Sequence, residues 1–150
     1  MIRSRVLIVT ATSNKNQNRG ANGGHGMNWI APQKRLAIYL RDGCACAYCG
    51  DALETGAELT LDHLDAIHAP GHHGQGNLIT ACRRCNSARG NRPVRQFAKV
   101  AAAYVNHGRT AARIMAQIAR QTARPIDVAT AREMIARRGN FGGAMAALKS

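Results

Sequence analysis

The chain has 150 residues, a formal net charge of +13 and only 4% aromatic residues. That length admits one domain with its own core, or a small metal-stapled core with appendages; the shortage of aromatic residues excludes a large aromatic core and leaves part of the stability to a metal or to helix-on-helix packing. The charge is lopsided, with 14 Lys and Arg against Asp127 and Glu133 over Cys82–Ser150 and 7 against 6 over Met1–Ala81, so the second half suits a polyanion or, read more plainly, an Ala-rich helical surface kept soluble by Arg.

In chain order, the first element is a short strand at Arg5–Val9. Its apolar run VLIV is too short for a signal-peptide core or a membrane span, which points to a soluble cytoplasmic protein with no membrane partner. In a reducing compartment the five cysteines read as ligands before disulfides. Thr10–Asn28, rich in Asn and Gly, reads as a flexible linker in which His25 is solvated. Order is expected from Trp29. Pro32 suits a first helical turn, Leu36, Ile38, Tyr39 and Leu40 supply an apolar face, and Gly43 ends the helix. Two short strands follow, ELTLDHL and NLIT, separated by the Gly- and His-rich loop DAIHAPGHHGQG, and a helix is expected after Cys82.

From Val94 the pattern turns helical. Val94, Phe97, Ala98, Ala101, Tyr104 and Val105 recur at three- and four-residue spacing and stop before Gly108. A second helix runs from about Thr110 to Thr122, with Ile114, Met115 and Ile118 inward and Pro125 just after it. A third begins at Asp127, or at Thr130 if TARE acts as a capping box, and stops at Gly139. The tail NFGGAMAALKS has no clear placement. The resulting organisation is 1–28 as strand and linker, 29–93 as the central domain, and 94–150 as a basic helical extension.

Two CxxC pairs, CAYC (Cys46, Cys49) and CRRC (Cys82, Cys85), flank the two strands. Two residues between thiolates let both sulfurs reach one tetrahedral ion, so two such pairs make a closed structural zinc site. The 32 residues between the pairs exceed a simple ribbon loop; a redox CxxC and buried free thiols are the plainer alternatives. Cys44 is badly spaced for shared chelation and reads as a spectator. His68, His72 and His73 could replace a sulfur, but four thiolates already complete the coordination. A zinc that joins the two pairs closes the intervening chain into a compact loop. The two strands must then pair, with the segment after Cys82 packed across them, and Asp62, His63, Asn77 and Asn86 converge.

The segments CAYCG, LTLDHLDA, GNLIT and CRRCNSARG, in that order over about Lys34–Pro93, resemble the HNH endonuclease family. The resemblance implies an α+β fold: a ββα-metal (His-Me finger) core stapled by a four-cysteine zinc site, here with an α-helical basic C-terminal extension. His63 takes the first signature position, Asn77 the middle one and Asn86 the last, where Asn replaces the final His. The implied function is metal-dependent hydrolysis of DNA phosphodiesters, in a bacterial or phage-infected host cell.

The residues suit that chemistry. An imidazole, with an ordinary pKa of about 6.5, takes a proton from water near neutral pH, which fits His63 as general base. Asp62 and the Asn86 side-chain carbonyl are hard oxygen ligands for Mg²⁺ or another divalent ion acting as Lewis acid. Asp62 and His63 are adjacent, so a regular strand would aim them at opposite faces; a bend or strand end at His63 is needed. By family analogy Asn77 braces the loop that orients His63, and a plain turn-forming Asn after Gly76 is the other reading. Arg83, Arg84, Arg89 and Arg92 are candidates for phosphate contact, or solvated surface charges. The alternative function is a non-catalytic zinc-stapled nucleic-acid-binding module, which accounts for cysteines and charge but not for the Asp-His pair. Oligomeric state is not legible.

Overall fold

The structure, a computed structural model, describes residues 29–65, 73–105 and 108–150. The expected strand at Arg5–Val9, the linker with His25, and His68 and His72 lie outside the described residues. The first helix, α1 (Pro32–Arg41), begins with Pro at N1, where the missing N–H removes no intrahelical bond, and buries Leu36, Ala37, Ile38 and Tyr39. Strands β1 (Leu59–His63) and β2 (Leu78–Cys82) form an antiparallel pair in the register Leu59↔Cys82 through His63↔Leu78. Helix α2 (Arg83–Arg89) follows immediately, its N-terminus capped by the Cys82 sulfur, which accepts from the Cys85 N–H. This is the strand, strand, helix unit expected from the sequence.

Because side chains alternate along a strand, the pair has two unlike faces. Leu59, Leu61 and Leu78 pack with Ile38 and Tyr39 of α1, whereas Ile79 and Ala81 pack with Phe97, Ala98 and Ala101 of α3 (Val94–Val105) and with Ile114 and Ile118 of α4 (Ala111–Ala123). Helices therefore cover both faces of a two-stranded sheet, which could not be stable alone. Helices α5 (Val128–Arg138) and α6 (Phe141–Lys149) close over α1 through Leu36, Ala37, Ala131 and Ala144.

Thr110 caps α4, its side chain accepting from the Arg113 N–H. Asp127, not Thr130, caps α5: its carboxylate accepts from the Thr130 N–H at 3.0 Å. The unplaced tail is α6, capped by Asn140, which accepts from the Gly143 N–H at 2.7 Å. A Cβ at Gly143 would lie 2.5 Å from the Arg138 carbonyl oxygen, so the glycine that lowers helix propensity is the one that lets the two helices meet.

One buried ion pair fixes the approach to β2. Arg41 Nε donates to Asp42 Oδ1 at 2.7 Å, and Asp42 Oδ2 accepts from the backbone N–H and hydroxyl of Thr80 at 2.9 and 2.8 Å. Arg41 also donates to the carbonyls of Gln75 and Leu78 at 2.8 and 2.7 Å. Fully partnered charges of this kind specify position more than they add stability. What they position is the segment entering β2, which carries Asn77.

Candidate active site and metal centre

The hairpin has two functional ends. At one, Cys46, Cys49, Cys82 and Cys85 are all buried, with their sulfurs within 4.8 Å of one another. Cys49 and Cys82 sulfurs are 3.7 Å apart, and a tetrahedral zinc with Zn–S of about 2.3 Å sets that edge at about 3.8 Å. Backbone N–H groups of Cys49, Asp51 and Cys85 donate to the Cys46, Cys49 and Cys82 sulfurs, each at 3.4 Å, an arrangement that favours thiolate. Hydrogen bonding to Cys49, Cys82 and Cys85 raises the Cys46 thiol, while hydrogen bonding from Cys46 lowers Cys82 strongly and lowers Cys49 to about 7. The donor set fits zinc. Cys44 stands apart, half-buried against the α1 side of the sheet.

The other end holds Asp62 and His63. Strand β1 ends at His63, but both residues keep the regular strand pairing and their side chains diverge to opposite faces, so the expected turning of both toward one place is not seen. Asp62 faces the side of the sheet covered by α3 and α4, where Tyr48 Oη donates to its Oδ2 at 2.8 Å and Arg89 Nη1 to its Oδ1 at 2.6 Å. Burial raises the Asp62 pKa above the ordinary carboxylate value, with Arg89 and then Tyr48 opposing it. Arg89 Nη1 also donates to the His63 carbonyl at 2.7 Å, Nη2 to Leu64 O at 3.3 Å and Nε to Arg92 O at 2.9 Å. Arg89, read from the sequence as a candidate phosphate contact, is 7% exposed and bonded inward at all three nitrogens to the backbone and carboxylate around Asp62.

Asn86, one turn into α2, donates its amide to Thr60 Oγ1 at 2.9 Å and Leu61 O at 3.2 Å, so its side-chain carbonyl oxygen is the atom that could meet an ion. Thr60 and Asp62 share one face of β1, so Asn86 and Asp62 belong to the same side of the strand. A carboxylate offers about four lone-pair positions, and Arg89 and Tyr48 engage two of them. One carboxylate and one amide oxygen fit an ion that keeps several waters.

His63 faces the other side. Its Nε2 lies 3.1 Å from His73 Nδ1, and Trp29 packs on both imidazoles, with ring centroids at 4.9 Å from His63 and 4.7 Å from His73. Asn77 spans the mouth of the hairpin: its Oδ1 accepts from the Asp65 N–H and its carbonyl from the Leu64 N–H, both at 2.9 Å. Of the other arginines, Arg83 pairs with Glu58 and Arg84 with Asp51 at the surface, where such pairs contribute little. Arg84 also sits beside Cys49, whose sulfur raises its pKa by hydrogen bonding. Arg92 is exposed and lies over Phe97. Sequence reasoning missed Tyr48 and the pairing of His63 with His73; a His ten residues away in a Gly-rich loop gave no periodic signal.

Residues 46–92 match the family model of the HNH endonuclease. They form an HNH endonuclease-family domain. The domain encloses both CxxC pairs, Asp62, His63, Asn77 and Asn86. A 66-residue stretch of the chain is 38% identical to the CRISPR-associated endonuclease Cas9 of Actinomyces naeslundii, over 43% of this chain and 6% of that protein. A 71-residue stretch is 35% identical to the Cas9 of Corynebacterium diphtheriae, again over 43% and 6%. The chain thus spans a small fraction of the curated relatives that share its HNH domain. The crystal structure of the Type II-C Cas9 enzyme from Actinomyces naeslundii superposes with a TM-score of 0.42 and 24% identity, over 99% of this chain and 14% of that one. Among the described residues, no helix is long and apolar enough to cross a membrane.

Proposed function

We propose that the chain is a metal-dependent DNA endonuclease acting in the bacterial cytoplasm, with residues 29–93 as the nuclease unit and 94–150 as its basic extension. The observation that carries this reading is the HNH match over residues 46–92, which encloses Asp62, His63 and Asn86 within one zinc-compatible hairpin and helix. His63 is the general base: it takes a proton from water as the water oxygen bonds to phosphorus and the bond to the 3′ oxygen breaks. Asp62 and Asn86 are the residues that would hold Mg²⁺ or a similar ion, which supplies Lewis-acid stabilisation of the phosphorane and the leaving oxygen when bound. Arg89 opposes the rise that burial imposes on the Asp62 pKa and fixes the His63 carbonyl. Asn77 braces the turn after His63, so the imidazole is held at the strand end. The structural zinc ties the remote end of the hairpin. Products carry 3′-hydroxyl and 5′-phosphate ends.

Exposed Arg83, Arg84 and Arg92, with Arg95, Lys99 and Arg113 on the extension, supply sequence-independent attraction to the DNA backbone. The test is nicking of supercoiled plasmid in Mg²⁺ by wild type and His63→Ala side by side. The reading expects nicking by wild type, abolished by EDTA and reduced about 10²- to 10⁴-fold in the variant. Intact plasmid with zinc-replete wild type across Mg²⁺, Mn²⁺ and Ni²⁺ would leave only the non-catalytic DNA-binding module.

A further inference from the structure

An imidazole used as a base has two nitrogens, and the partner of one decides which tautomer the other presents. In His63 that partner is another imidazole. Nε2 of His63 and Nδ1 of His73 are 3.1 Å apart, hydrogen-bond distance for one proton between two ring nitrogens. The pair is held from three sides. Trp29 packs on both rings at 4.9 and 4.7 Å between centroids. Lys34 Nζ donates to the His73 carbonyl at 2.8 Å, which fixes the main chain of the loop residue. The Arg35 guanidinium lies 5.5 Å from the Trp29 ring centroid, and α1 is thereby the platform for Trp29 as well as for His73.

We propose that His73 is a positioning residue for His63, its Nδ1 accepting the Nε2 hydrogen of His63 while Trp29 clamps the two rings. The inference rests on the reading of His63 as general base and deepens it. With Nε2 carrying the hydrogen, Nδ1 of His63 is the nitrogen that accepts the proton from water. When that proton arrives, the Nε2 hydrogen stays in place and the neutral His73 remains its acceptor, so no second transfer is needed. In the opposite arrangement, with the hydrogen on Nδ1 of His73, His63 would present Nδ1–H to the water and could not act there as a base. The role resembles that of any group that orients a catalytic imidazole through its second nitrogen.

Two measurements on the full chain test this, one of which needs no turnover. Nitrogen-15 correlation spectra of the imidazoles, with His63 assigned by its loss in His63→Gln, are expected to show His63 as the Nε2–H tautomer in wild type and as a mixture in His73→Ala. His73→Asn, whose Oδ1 sits where Nδ1 was, restores the wild-type tautomer. In plasmid nicking, His73→Ala is expected to lower kcat about 10- to 100-fold, by analogy with removal of the hydrogen-bond partner of a metal-ligating imidazole. KM and DNA affinity should stay within about twofold, and His73→Asn should recover most of kcat. A wild-type His63 in the Nδ1–H form, or the same tautomer in wild type and His73→Ala, overturns the proposal. Should wild type show the expected tautomer yet leave plasmid intact, the nuclease reading fails while the His63–His73 pairing stands.

Discussion

The two ends of one hairpin, made of two five-residue strands, are built in opposite ways. Leu59 pairs with Cys82 at the cysteine end and His63 with Leu78 at the other, a separation of about 13 Å at 3.3–3.4 Å per residue. The cysteine end is closed: four buried sulfurs face each other and α3 and α4 cover them. The His63 end is an arrangement of single side chains, with Asp62 gripped on one face by Tyr48 and Arg89 and His63 held on the other by His73 and Trp29. On the proposed reading, the first end supplies stability and the second end supplies proton and metal chemistry.

Breaking the closed end has the largest expected effect. Cys46→Ser or Cys85→Ser is expected to lose the zinc and the folded state together, because structural zinc contributes on the order of 10–16 kcal/mol. Cys44→Ser keeps one zinc per chain, as metal analysis beside circular dichroism will show; zinc loss in that variant contradicts the ligand set.

Next in size is Arg89→Met, which leaves a buried carboxylate without its cation. It is expected to destabilise the chain by about 3–5 kcal/mol at neutral pH, read from urea unfolding. The Asp62 pKa is already raised by burial and Arg89 opposes that rise, so removing Arg89 raises it further. A carboxyl whose folded pKa exceeds its unfolded value binds protons more readily when folded, so its contribution to stability falls as pH rises through the folded pKa. The deficit in Arg89→Met is therefore expected to shrink on acidification. A deficit independent of pH would assign Arg89 a packing role only.

Asp62→Asn and Asn86→Ala sharpen the contrast at the chemical end. Asp62→Asn is preferred to alanine because alanine would strand the buried Arg89. Each variant is expected to keep zinc and fold, and to raise the Mg²⁺ needed for half-maximal nicking by at least about tenfold, equivalent to ~1.4 kcal/mol. The smallest effect belongs to the surface. Neutralising Arg113, Arg120 and Arg124, all exposed, weakens DNA binding alike on all sequences and reduces the salt slope by roughly 0.9 per lost phosphate contact. An unchanged slope would make these helices packing elements.

The closed end was legible in the sequence because metal ligation leaves a local signature: two CxxC pairs fix both residue type and spacing. The hairpin and α2 followed from closing the chain between them. The chemical end was only half legible. Asp62 and His63 advertise themselves by interrupting an apolar alternation, but Tyr48 and Arg89 bond Asp62 from 14 and 27 residues away. Arg89 reads as one more surface cation among many until its burial is known. Helix α6 was hidden for another reason: Gly142 and Gly143 lower local helix propensity, and only packing against α5 reveals why glycine stands there.

The central claim is that His63 handles a proton rather than binding DNA. It is tested most directly by measuring DNA affinity and single-turnover cleavage for wild type and His63→Ala under the same Mg²⁺ and salt. An interaction made only in the transition state lowers turnover without weakening the ground-state complex. The account predicts affinity within a few-fold and turnover reduced by about 10² or more. Equal loss of affinity and turnover, or equal cleavage by both proteins, would contradict it.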